Sequence, residues 1–81
     1  MPKKDIDSDL KKIISLINSF YDLYYSFDLK IGESLVNDTE LLINELINKK
    51  NEHESYFSMY SLTKKIKQLV SVVLEVNIEN S

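Results

Sequence analysis

Residues 6–31 read IDSDLKKIISLINSFYDLYYSFDLKI, and apolar side chains recur in them at Ile6, Leu10, Ile13, Ile17, Phe20, Tyr24, Phe27 and Ile31. Steps of four and three alternate without interruption, the spacing that keeps one stripe of a helix turned toward a neighbour. The stretch predicts a helix of about 26 residues, roughly 39 Å long. With Leu10 at heptad position a, Ile17, Tyr24 and Ile31 also fall at a, and Ile13, Phe20 and Phe27 at d. Ile14 and Tyr21 then occupy e, and Leu16 and Leu23 occupy g. A two-stranded coiled coil usually carries charge at e and g. This helix is therefore expected between neighbours on both sides, at the centre of a bundle of three or more helices.

The rest of the chain is punctuated from there. Asp5, Asp7 and Asp9 suit the positive end of the first helix dipole. Gly32, the only glycine, is placed to stop that helix at Ile31 in a left-handed C-terminal residue. A second helix is read over 34–49, with Leu35, Val36, Leu42, Ile43, Leu46 and Ile47 on its apolar side and a capping box of Asn37 with Glu40 near its start. Asn51 with Glu54 is read as the cap of a third helix over 52–77, whose seam is Met59, Leu62, Ile66, Leu69, Val73 and Val76. Residues 70–78 also alternate in the manner of a strand, but no other segment offers a partner strand, and an isolated one is unstable.

These readings give an all-α fold over one domain, 1–81. It is a three-helix up-down-up bundle with long first and third helices and a shorter second helix. At 1.5 Å per residue the expected register puts Tyr56, Phe57 and Tyr60 level with Phe20, Tyr21 and Tyr24 in one aromatic layer. It also leaves apolar overhangs at opposite ends, with Ile6, Leu10, Ile13 and Ile14 at one and Val70, Val72, Val73, Leu74, Val76 and Ile78 at the other. Such surface calls for cover, so these residues are the expected partner or dimer interface of a self-associating, two-fold symmetric homodimer. Tyr25, an exposed aromatic beside the seam, joins them because tyrosine is enriched at protein interfaces.

Composition narrows the chemistry. The 81 residues carry a net charge of −3, with ten lysines, no arginine, no alanine and no cysteine. Disulfides and thiolate metal sites are excluded, and the bias toward Ile, Asn, Lys and Tyr points to an AT-rich genome. Without arginine the chain lacks the planar fork that grips phosphates and carboxylates bidentately. There is no secretory leader pattern and no apolar run long enough to span a bilayer, so a cytoplasmic location is expected. His53, the only histidine, stands in Glu52-His53-Glu54; adjacent residues diverge around a helix, so the three cannot converge on one metal. Asp22 among Tyr21, Tyr24 and Tyr25 falls at the outermost heptad position and is read as solvated. The lysine pairs Lys3-Lys4, Lys11-Lys12, Lys49-Lys50 and Lys64-Lys65 are interspersed with carboxylates, which weighs against a nucleic-acid patch. The acidic flanks likewise weigh against a membrane surface.

No catalytic, cofactor-binding or metal-binding residues emerge. The expected function is that of a non-enzymatic protein–protein interaction module with a protein partner, such as a small helical inhibitor, immunity protein, antitoxin or assembly adaptor. The alternative is a nucleic-acid accessory protein using the lysine-rich end.

Overall fold

The computed structural model describes residues 2–79, with side chains from Ile6 onward, as three helices: α1 (Pro2–Tyr25), α2 (Leu29–Ile47) and α3 (Glu54–Glu79). Asp5 and the Lys3-Lys4 pair lie outside the described side chains. Residues 70–78 belong to α3, and no strand occurs among the described residues. Every pair of helices is in contact, α2 with α3 most extensively, in a body 46 × 17 × 15 Å. No described helix is long and apolar enough to cross a membrane.

The first helix ends at Tyr25, six residues earlier than the periodicity predicts. The cause is Asp28. Its backbone is extended (φ −142°, ψ 118°), and its carboxylate accepts the Lys30 amide at 2.8 Å, an aspartate N-cap that starts α2 at Leu29. Phe27 is thereby left in the connection and Ile31 passes to the second helix. Gly32 is not a C-cap. It sits in the first turns of α2 with no positive φ, buried, where an added Cβ would collide with Leu74 Cδ2 and lie 3.3 Å from Leu74 Cγ. Its role is close approach of α3, not backbone freedom. Asn37 and Glu40 stand in mid-helix and cap nothing, because α2 begins well before them.

The start of α3 also differs from the Asn51–Glu54 reading. Helix geometry begins at Glu54, and the His53 imidazole Nδ1 accepts the Ser55 amide at 3.1 Å. The side chain is solvent-exposed, and its work is capping. His53→Ala is expected to cost about 0.5–1 kcal/mol, and His53→Asp, which restores an acceptor and adds negative charge at the helix N-terminus, to recover or exceed the original stability. Urea titrations of the two variants check this; equal midpoints for alanine and aspartate would exclude a capping role.

The core is built from Ile13, Leu16 and Leu23 of α1, Leu35, Leu42 and Leu46 of α2, and Tyr56, Met59, Ile66 and Val70 of α3. Two threonines share it, their hydroxyls donating to their own helices: Thr39 to the Val36 carbonyl (2.8 Å) and Thr63 to that of Met59 (2.7 Å). One charge is buried with them. Asp9, 2% exposed, is held by Lys49 Nζ at 3.4 Å and Lys12 Nζ at 3.8 Å, so it serves as an ion-pair anchor and not as a solvated dipole partner. The two aromatic groups do not merge into one layer. Ring contacts among the described residues lie within α1, Phe20 with Tyr24 and Tyr21 and Tyr24 with Tyr25. Tyr56 instead lies by Lys49, which pairs with Asp9. The longer α2 shifts α3 along the bundle axis, which brings Leu74 rather than Tyr60 toward Leu23 and Gly32.

Candidate functional site

In α1 the side chains turned inward are Ile6, Asp9, Ile13, Leu16, Phe20 and Leu23. This is itself a three–four stripe, made of heptad positions d and g. The a and e positions, Leu10, Ile14, Ile17, Tyr21 and Tyr24, form a second stripe beside it, and all five are exposed. The same split divides the predicted seam of α3: Met59, Ile66 and Val73 pack inward, whereas Leu62, Leu69 and Val76, each seven residues from the next, are exposed. A seven-residue interval returns to the same face of a helix, so this is a column.

The opposite flanks of both helices meet α2. On α1, Lys12, Ser15 and Leu16 line a shallow groove of about 270 Å³ with Asp38, Leu41, Leu42 and Glu45, and Lys12 Nζ reaches Glu45 at 3.1 Å. On α3, Lys64, Lys67, Gln68 and Ser71 open onto Ile43 of α2, and Lys67 bonds Glu40 at 3.2 Å. The two exposed apolar stripes therefore lie mainly on the sides turned from α2, bordering one α1–α3 face, and only at the end of α1 do Tyr21 and Tyr25 open onto Ile31 of α2.

The residues expected at an interface are divided by this arrangement. Val70 is fully buried in the core and presents nothing to a partner. Leu74 is half-buried against Gly32, and Ile6 is half-buried against the core. Val72, Val76, Ile78, Leu10 and Tyr25 are exposed, Tyr25 at 76%. Of these, Leu10 and Val76 belong to the α1–α3 face, and Val72 opens toward Ile43. The periodicity singles out Ile14 as overhanging surface but not Ile17, Tyr21, Tyr24, Leu62 and Leu69. The signal was present: α1 has more apolar heptad positions than one seam requires, and the stripe richer in tyrosine has hydroxyls that need water.

Aromatic side chains mark one end of the face. Tyr21 stacks on Tyr25 with ring centroids 5.8 Å apart and planes 13° from parallel, and Tyr25 meets Tyr24 edge-on at 5.2 Å. Five of the described lysines, by contrast, are engaged. Lys12, Lys49 and Lys67 form ion pairs, and Lys50 and Lys64 lie over the Tyr60 ring at 5.0 and 5.4 Å. No group of three or more His, Cys, Asp or Glu side chains able to hold a metal occurs among the described residues. Compared with family models, curated proteins and solved structures, the chain matches none.

Proposed function

We propose that this chain is a non-enzymatic protein–protein interaction module, a three-helix up-down-up bundle that acts by covering a surface on another protein chain. One observation carries the reading: α1 and α3 each fill one apolar column within the chain and leave a second apolar column in water. Monomeric proteins rarely leave contiguous apolar surface of this kind without a binding role. The up-down-up order is supported by the pairing of the start of α1 with the end of α2 through Asp9–Lys49 and Lys12–Glu45. Leu74, late in α3, sits against Gly32, early in α2. With five lysines held in ion pairs or over tyrosine rings, the nucleic-acid reading has no specific observation in its favour.

A benzophenone side chain introduced at Ile17, in cells that naturally make the chain, is expected to cross-link to protein on irradiation. The same group at Ser15, on the α2 side, is expected to cross-link far less. Equal yields at the two positions, or none at either, would overturn the reading.

A further inference from the structure

Resting on the reading of the α1–α3 face as a protein interface, we infer that its occupant is a second copy of this chain, docked antiparallel about a two-fold axis that crosses α1 beside Asn18. Area supports a folded partner of this size. The exposed parts of the five α1 and three α3 residues amount, when fully covered, to on the order of 800 Å², comparable with about 800 Å² per partner in a standard stable interface.

The stripe along α1, with steps of four, three, four and three, is close to symmetric about its midpoint. An axis beside Asn18 brings Ile14 to within one residue of level with Tyr21 of the copy and Leu10 to within two of Tyr24 of the copy, so that the stripes overlap apolar on apolar. Along the edge of the stripe, Lys11, Asn18 and Tyr25 recur at seven-residue intervals, all exposed. The same axis pairs Asn18 with its own image, a hydrogen-bonding match of the kind that fixes register between helices. It also places the Lys11 ammonium by the tyrosine cluster of the copy, where the ring faces attract a cation.

Charge selects the antiparallel sense. Asp22, Asp28, Glu75 and Glu79 lie at the end of the bundle where Leu23 and Leu74 meet. A parallel pair would gather all eight carboxylates at one end. The antiparallel pair separates them and sets each acidic end against the mixed end of the other copy, where Lys11 and Lys50 stand among Asp7, Glu52 and Glu54.

The chain has no cysteine, so single replacements report the geometry directly. Asn18→Cys, oxidised with diamide, is expected to give a disulfide-linked species of twice 9.5 kDa, while Ser15→Cys stays single. Sedimentation of the unmodified chain should show a dimer dissociating on dilution. Ile17→Glu with Leu69→Glu should raise the dissociation midpoint at least tenfold while the helical circular dichroism stays unchanged. A single-chain mass at every concentration up to about 1 mM, or linkage through Ser15→Cys in preference to Asn18→Cys, would overturn the inference. If the chain is monomeric but benzophenone at Ile17 captures a protein of another mass, the second-copy inference fails and the interface reading stands. If neither self-association nor position-specific cross-linking is found, both fail.

Discussion

Leu23→Ala is expected to lower the unfolding free energy by about 3–4 kcal/mol, and the thermal midpoint by roughly 15–25 °C for a domain of this size. The next residue, Tyr24→Ala, is expected to cost less than about 1 kcal/mol in the dilute monomer. Leu23 is 0% exposed and Tyr24 63%. Truncating Leu23 leaves a void among side chains packed on every side, which the surroundings refill only in part. Truncating Tyr24 removes ring contacts with Phe20 and Tyr25 from a position that water already reaches. The pair discriminates because the two residues belong to different stripes of the same helix. Thermal and urea melts in dilute solution are the measurement. Equal losses at the two positions would mean that α1 is rotated and the outward stripe is part of the intramolecular core. If the inferred pairing of two copies through the α1–α3 face holds, Tyr24→Ala should be the costlier of the two in oligomer stability at high concentration.

This contrast also locates what the sequence could and could not say. All-helical architecture and three helices are legible, because the three–four recurrence in residues 6–31 and 59–76 is strong and the apolar side of residues 35–47 is nearly continuous. The orientation of α1 is not. Two overlapping three–four stripes run along it, and the one that turns inward contains Asp9, which reads as a violation. Lys12 one turn on, at 3.8 Å, and Lys49, forty residues later and closer at 3.4 Å, make that position tolerable, and the more distant of these contacts leaves no periodic trace. Helix ends were misplaced for a local reason. Gly32 offered a familiar stop signal, while Asp28, four residues earlier, offered a start signal. A cap carrying an actual hydrogen bond to Lys30 prevails over a residue that merely permits a turn. The shorter α1 and longer α2 that follow reduce the expected overhangs. They move the apolar surplus from the ends of the bundle to one of its long sides, where Leu10 and Val76 remain exposed and Val70 does not.

Gly32 supplies the other large effect, and its sign depends on a partner 42 positions away. Gly32→Leu is expected to destabilise by about 2–3 kcal/mol, because a branched side chain there must displace Leu74 from the α2–α3 contact. Gly32→Ala sets two terms of similar size against each other. A helical alanine gains roughly 0.5–1 kcal/mol over glycine. Its Cβ, however, enters the space of Leu74 Cδ2 and lies 3.6 Å from Leu23 Cδ1, so the leucine has to leave its rotamer at a cost of about the same magnitude. The net change should be within about 1 kcal/mol of zero. Removing the obstacle separates the terms. In a Leu74→Ala background, Gly32→Ala should stabilise by about the full helix-propensity gain, and the penalty of Gly32→Leu should shrink to less than half, as its side chain refills the space that Leu74 vacated. The coupling energy from that double-mutant cycle is expected at about 1–2 kcal/mol. A coupling near zero would mean that the glycine is kept for some property of α2 itself. The expected coupling would establish that the contact between α2 and α3, and with it the axial position of α3 that carries Leu62, Leu69 and Val76 into line with the α1 stripe, is set by a missing side chain.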